Sequence, residues 1–423
     1  NDDIGAGPDQ GSAYVYELSN GHFTFKQQLF VSGVNVQLFG RALAMSNTSI
    51  AIGAPGEDNK GAVYVFVKNG ALWTQQQRLT PFGASNGDEF GLSVSLAGDT
   101  LAVGTTETVG FNADQGSVFI FTRNGATWSQ QAKLLAGDGA AGDNFGASVA
   151  LSGENVLIGA PNDTVGFNAN QGSAYVFTRS GTAWSQQQKL SFSGAEADDY
   201  IGQRVALDGD TALIGAYGDD IGFNNDQGAA YVFTRSGVVW SLQQKLIANN
   251  GAALDHFGWG VALLGDRALI GAFNKTINNT QFQGAAFVFD RNGTVWTEQQ
   301  ALTPFVPQAG YFGYSVALSA DSPLASAFID EAPRYLATIG PVIHFLQGRD
   351  STLAHRIASR AFTQRHLPCG HGAKPHPLDR AQSLQPSQRH RAPRRGRDHA
   401  ARQRARLCPL PHRDGQHRLR GHQ

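Results

Sequence analysis

One phrase recurs through most of this chain. "NQGSAYVFTRSGTAWSQQQKL" occupies residues 170–190, and near copies stand at 114–134 and 226–246. A glycine followed by small, aromatic and β-branched residues opens such a phrase at Gly11, Gly61, Gly116, Gly172, Gly228 and Gly284, so the period settles at 56 residues. A Phe-Gly pair keeps the same beat at Phe39, Phe90, Phe145, Phe257 and Phe312, with Tyr200–Gly202 as the altered copy "YIG". "IGAP" or a near form follows at Ile52, Ile158, Ile214 and Ile270. Tryptophan falls in phase at Trp73, Trp128, Trp184, Trp240 and Trp296, with Phe23 in the equivalent place. Repetition at this period constrains the fold more than any composition does, because each unit must bury its apolar faces against neighbouring copies.

Each unit reads as four short strands. In 145–190, "FGASVALS" alternates, "NVLIGAP" is a compact apolar run, "SAYVFTR" is aromatic and β-branched, and "TAWSQQQKL" alternates again. Glycine-containing turns, "SGEN" and "RSGT", separate the outer pairs as hairpin turns do. No segment carries a useful helical stripe. The expectation is an all-β fold, a β-propeller of four-stranded antiparallel blades. Small residues in "FGxSVAL" and "IGAP" suit inner strands, and Trp and "YVF" suit the gaps between blades. The Gln and Lys of "QQQKL" are expected to blunt the outermost edge.

Five units are complete, starting near 39, 90, 145, 200 and 257. The chain also opens on the last two strands of a unit (1–37, about 11–29 as strands) and closes on the first two of another (about 312–329). The two halves either pair to close a six-bladed ring or belong to a seven-bladed one. The propeller domain is placed at 1–345.

Beyond it the pattern collapses. Residues 349–423 hold 17 Lys+Arg against 4 Asp+Glu, or +13, which leaves 16 against 30, or −14, for 1–348. Cys369 and Cys408, the two cysteines of the chain, lie in this tail, with nine of the twelve histidines. The composition of 346–423 fits a basic arm, or GC-rich DNA read out of frame after a frameshift near 320–340. On either reading disorder is expected beyond about 350. The tail lacks the interleaved aromatics of single-strand binders, so nucleic acid is not an expected partner. Its Cys and His spacing fits no common zinc module. No stretch approaches the roughly 20 apolar residues of a membrane span. A signal peptide is expected to have been removed or to lie outside this stretch.

"FG" followed by "GAP" within a four-strand unit resembles the FG-GAP repeat of the integrin alpha-subunit propeller. "GSAYVFTRSGTAWSQQQKL…FGASVALS" looks more closely like the bacterial branch of FG-GAP repeat proteins. The resemblance covers about 1–330. It implies a propeller, usually of seven blades, on exported or cell-surface proteins with binding or adhesive roles. Many integrin-type repeats carry an Asp-rich calcium loop between the first two strands. The corresponding turns here are "AGDT", "SGEN", "DGDT" and "LGDR". They are too short to wrap a cation that takes six to eight oxygens. Calcium sites are therefore not carried over, no cofactor is expected, and Asp99, Asp210 and Asp266 read as turn residues.

Antiparallel order places the short turns on one face and the long loops on the other. The long loops carry Asp88, Asp114, Asp143, Asp163, Asp198, Asp199, Asp219, Asp220, Asp226 and Asp255. The short-turn face carries Lys68, Arg123, Arg179, Arg235 and Arg291. A polarised disc follows, with the acidic face as the candidate surface for a basic protein patch or a divalent cation. Phe111, Phe167 and Phe223 read as hydrophobic pins of their loops, and His256 as a solvent-facing residue. Trp259 is the one tryptophan off the beat. No nucleophile elbow, metal-protease motif or phosphate loop is present, and a non-enzymatic binding or adhesion scaffold is expected, monomeric or part of a larger chain, with a protein or glycan ligand. The alternatives are an exported glycan hydrolase with an axial carboxylate pair and a purely structural repeat segment.

Overall fold

The computed structural model describes residues 10–19, 22–32, 36–192, 194–304, 309–318, 323–327 and 343–346. Tail residues 347–423 lie outside them, as do the expectations of disorder, a basic arm or a frameshift there. A two-stranded sheet of β1 (Ala13–Ser19) and β2 (His22–Leu29) comes first. Blade one is β3 (Ala42–Met45), β4 (Ser49–Ala54), β5 (Ala62–Asn69) and β6 (Leu72–Leu79). Blade two is β7 (Ser93–Ala97), β8 (Thr100–Thr105), β9 (Ser117–Asn124) and β10 (Thr127–Leu134). Blade three is β11 (Ser148–Ser152), β12 (Asn155–Ala160), β13 (Ser173–Ser180) and β14 (Ala183–Leu190). Blade four is β15 (Val205–Asp208), β16 (Thr211–Ala216), β17 (Ala229–Ser236) and β18 (Val239–Leu246). Blade five is β19 (Phe257–Leu264), β20 (Arg267–Ala272), β21 (Ala285–Asn292) and β22 (Val295–Leu302). A last sheet holds β23 (Ser315–Leu318), β24 (Pro323–Ala327) and β25 (Ile343–Leu346).

The protein is an all-β propeller built of four-stranded antiparallel blades, as the repeat predicted. The first strand of each blade lies innermost, against the first strand of the next. Of the two arrangements expected of the ends, pairing of the half-units into one blade is not the one found among the described residues. The opening half-unit forms its own sheet, and β24 pairs with β25 rather than with β1. The closing half-unit therefore takes a third strand from its own sequence, "IHFL". An unpaired strand edge is costly, and β25 satisfies that of β24.

The Phe-Gly pair is the seam between blades. The Phe145 N–H donates to the Gln115 carbonyl of the preceding blade (2.9 Å), while its ring packs edge-on against Tyr175 and Phe177 of its own blade (centroids 5.3 and 5.9 Å). The Gly146 N–H donates to the Gly159 carbonyl of its own second strand (3.0 Å). Across the seam, the second-strand glycine of one blade lies on the Phe-Gly glycine of the next. A Cβ at Gly104 would sit 2.0 Å from the Gly146 carbonyl oxygen, and one at Gly159 would sit 1.9 Å from that of Gly202. Only a residue without a side chain admits that approach.

The outer strands are joined differently. Gln188 clamps the backbone of Trp240 in the next blade, donating to its carbonyl (2.8 Å) and accepting from its N–H (2.9 Å). Gln77 does the same to Trp128, and Gln244 to Trp296. A β-bulge in the outer strand of blades one to four supplies a second glutamine. In β14 the register skips Gln187, and this residue accepts the Trp240 indole N–H at 2.9 Å. Bulges re-aim side chains in this way. The glutamines of "QQQKL" are thus ties between neighbours rather than guards of a free edge.

Candidate functional site

The ten aspartates of the long loops fall into two groups. Asp88, Asp143, Asp199 and Asp255, each two residues before the seam residue, are buried. Each caps a turn by accepting a backbone N–H: Asp143 from Ala140 (2.6 Å), Asp199 from Glu196 (2.8 Å), Asp255 from Ala252 (2.9 Å) and Asp88 from Ser85 (2.5 Å). Asp163 and Asp219 are buried too. Lys189 reaches Asp163 at 2.6 Å, and Lys245 reaches Asp219 at 2.8 Å, each lysine lying over the Tyr175 or Tyr231 ring. Glu57 with Arg78 and Glu107 with Lys133 repeat the arrangement in blades one and two. Six of the ten candidate residues are therefore consumed by the scaffold, and the acidic face is correspondingly weaker than expected. Asp114, Asp198 and Asp220 are exposed and Asp226 half-buried. Sequence could not separate the groups, because both are loop aspartates among Gly and Asn.

Burial pushes the Asp199 carboxyl up to about 6, with the nearby Asp219 charge adding to the rise against the Glu196 N–H bond. Asp143 is raised for the same reasons, with Asp163 as its neighbour. These carboxylate pairs recur blade after blade with a lysine each, as structural groups do.

Blade five rewires this set. The acid's place is taken by Lys275 and the outer-strand lysine's place by Ala301, opposite Phe287 as Lys189 is opposite Tyr175. Lys275 bonds Asp255 at 2.7 Å with side chains 7% and 5% exposed, and it donates to the Asn250 carbonyl at 2.7 Å. The cation has moved from strand to loop while a buried pair is kept.

The short-turn face is neutralised as well. Arg123, Arg235 and Arg291 bond Asp99, Asp210 and Asp266, and Arg179 bonds Glu154. Each also covers the Trp of its own blade, 5.0–5.6 Å from the ring. Each reaches the preceding blade, as Arg235 does to the Asn155 Oδ1 at 3.1 Å. The turn aspartates are anchors for these arginines, beyond shaping their turns. Among the described residues, no group of three or more His, Cys, Asp or Glu is placed to hold a metal.

The long-loop face presents aromatic groups instead. Phe111, Phe167 and Phe223, expected as inward pins, are 105%, 105% and 104% exposed. Each follows a glycine of positive φ (63°, 67° and 66°) in a tight turn closed by an antiparallel bridge, such as Val165 to Asn168. The glycine-first order is that of a type II′ turn. The loops are held by Asn, not Phe: Asn168 bonds the Gln171 side chain (2.9 Å) and the Ala195 carbonyl (3.0 Å). The ring is thus left at the tip.

A second aromatic set lies at the mouth of the axis. Tyr200 stacks on Tyr217 (4.9 Å, 9°), and Tyr217 meets His256 (5.5 Å) and Trp259 (4.8 Å). Trp259 and His256 touch Phe273 (4.7 and 5.3 Å), and Tyr314 closes on Trp259 (5.3 Å). All of these rings are half-buried. His256 does not simply face solvent: its Nδ1 shares a 2.9 Å bond with the Asn274 amide, and burial lowers its pKa. Burial lifts the Tyr217 hydroxyl to about 12, with Tyr200, Asp226 and Asp198 adding to it. The signal was present in the sequence. Tyr200, His256 and Tyr311 stand where blades one to three have Leu38, Glu89 and Asn144, and Tyr217 and Phe273 stand where blades one and three have Pro55 and Pro161.

Arg204 immediately precedes β15, at the position where blades two and three have Ser93 and Ser148. One of its guanidinium nitrogens donates to the Gln203 carbonyl (2.8 Å). Desolvation and the charge of Arg41 lower its pKa, with Tyr314 as the opposing neighbour. Among the described residues, neither arginine forms an ion pair.

Repeated blades sewn by Phe-Gly seams, with long loops gathered on one face, define a blade-repeat propeller. The FG-GAP repeat matches residues 33–66, 73–121, 128–177, 184–233 and 240–289, more than half of the chain, and the protein belongs to this family. No curated protein matches the chain. The family repeat runs from the Trp strand of one blade to the third strand of the next, so its unit spans a seam. Among the described residues, no helix is long and apolar enough to cross a membrane.

Proposed function

We propose that this chain is a binding and adhesion scaffold, exported or displayed at a cell surface, which meets its ligand with aromatic groups of the long-loop face. The observation that supports this most is the row Phe111, Phe167 and Phe223, fully exposed on three successive blades at rigid turn tips. Exposing a phenylalanine completely gains nothing for folding, since burying such a side chain is worth about 1.5–3 kcal/mol. The same cost accepted three times in register points to a contact surface. The candidate carboxylates contribute through Asp114, Asp198, Asp220 and Asp226, whose side chains remain on that face.

The test replaces all three phenylalanines by serine in the full chain. Capture of cell-surface and matrix extracts on immobilised protein should be lost while thermal stability stays within experimental error. Equal capture by the variant and the parent would overturn the reading. Capture by neither favours a purely structural repeat. A hydrolase reading finds less support, since the buried carboxylate pairs repeat with the blades.

A further inference from the structure

Phe111, Phe167 and Phe223 stand 56 residues apart, at the same turn of three successive blades. Positions related by rotation about a propeller axis share one height above the disc, so the three tips define a plane parallel to its face. Each tip is rigid. Bridges from Val109 to Asn112, Val165 to Asn168 and Ile221 to Asn224 close the turns. Asn112, Asn168 and Asn224 then tie them to the buried Gln115, Gln171 and Gln227 at 2.8–2.9 Å. Phe82, 95% exposed in the loop from blade one to blade two, adds a fourth ring, its N–H held by the Gln130 side chain at 3.2 Å. The charge around these rings has one sign. Loops 106–116, 162–172 and 218–228 contain no Lys or Arg. Asp114, Asp220 and Asp226 lie in them and Asp198 beside them, where Asn170 donates to it at 2.8 Å. Among the described residues, none of these four carboxylates enters an ion pair.

We infer that this face docks on a zwitterionic lipid bilayer, with Phe111, Phe167 and Phe223 entering at headgroup level and the loop carboxylates meeting the ammonium groups. The inference rests on the reading of the tips as the contact surface and names what they contact. Rigid, separate rings would demand of a protein partner three pockets at matching spacing, whereas a bilayer is flat and fluid and takes rings at any spacing. Apolar side chains held at the boundary of headgroups and acyl chains gain by burial there. The headgroup follows from the charge. Unpaired carboxylates are repelled by an anionic surface, which attracts basic segments instead. An ammonium headgroup pairs with a carboxylate and is attracted to the face of an aromatic ring.

The experiment floats the full chain with vesicles of phosphatidylcholine and phosphatidylethanolamine, and in parallel with vesicles of phosphatidylglycerol. The zwitterionic vesicles should carry the protein up the gradient. Phe167→Ser should weaken that binding about tenfold, and the triple serine variant should not float. Anionic vesicles should bind about tenfold less well. The double variant Asp114→Asn with Asp226→Asn copies Asn170, which blade three already carries at this position, so folding is retained. It should close most of the gap between the two lipids. Phe167→Trp should keep the binding and gain fluorescence that brominated acyl chains quench, which adsorption by another face would not give. Absence of flotation, flotation that the triple variant retains, or tighter binding to the anionic vesicles would each overturn the inference. Phenylalanine-dependent capture from membrane-free extracts without vesicle binding would overturn it in favour of a protein partner and leave the surface reading standing, so the two failures are told apart.

Discussion

The seams between blades and the mouth of the axis are built from the same repeat, yet they behave oppositely. At every complete junction a second-strand glycine meets the glycine of the next Phe-Gly pair, from Gly53 on Gly91 to Gly271 on Gly313. At the mouth, the residue before the Phe-Gly pair, or before Ile201-Gly202 in its altered copy, is Leu38, Glu89 or Asn144 on one side and Tyr200, His256 or Tyr311 on the other. The difference separates what a blade needs in order to stack from what one region of the molecule adds. Backbone contact tolerates no variation, whereas half-exposed positions at the rim are free to diverge.

The strongest way to break this contrast is to add one carbon at a seam. Gly159→Ala would drive its Cβ into the Gly202 carbonyl oxygen, and neither backbone is free to yield. A loss above about 4 kcal/mol is expected, measured as soluble yield and denaturant midpoint. Gly153→Ala, in an open turn with φ 56° and no atom nearby, serves as the control and should cost about 1 kcal/mol.

Next comes the rewired junction into blade five. Lys275→Met strands Asp255 as a buried, unpaired charge, and a loss of about 3–5 kcal/mol is expected at neutral pH. The double variant Lys275→Asp with Ala301→Lys rebuilds the arrangement of blades three and four and should recover most of it. Failure to recover would mean that blade five is not interchangeable with its sisters.

The pH dependence sharpens the account of the buried carboxylates. Asp199 holds its proton up to about pH 6 in the folded chain, while the unfolded chain releases it near 4. The folded state thus binds more protons in that window. The contribution of this group is most favourable below about pH 4 and is lost as pH rises through 6, with a slope on the order of 1 kcal/mol per unit. Asp199→Asn keeps an acceptor for the Glu196 N–H and should flatten the stability profile between pH 4 and 6. An unchanged profile would contradict the assignment.

Smaller effects are expected further out. Gln188→Ala removes a two-bond clamp on Trp240 and should cost about 1 kcal/mol. Phe167→Ser should change stability by less than about 0.5 kcal/mol, because its ring touches solvent alone.

Much of this architecture could be read in advance. Alternation within "FGASVALS" and "SAYVFTR", and turns at fixed intervals, specify strands, and a fixed period specifies stacked blades. The candidate site was only partly legible. Asp163 and Asp198 look alike as loop residues, but a lysine one strand away in space, Lys189, makes the first structural. Phe167 was expected inside because it is apolar, yet Asn168 secures the loop and leaves the ring out. The mouth was visible as a column of aromatics from Tyr200 onward, but its meaning required knowing that the column faces the axis.

Sequence alone determined the period, the strand count of each blade and the glycines at which chains must touch, because these depend on local pattern and on the absence of a side chain. Tertiary structure alone decided which carboxylates are buried, which glutamine the bulge turns toward a neighbouring Trp, and where β24 finds its partner. Those outcomes depend on groups more than 20 residues apart meeting in space, and no local preference encodes such a meeting.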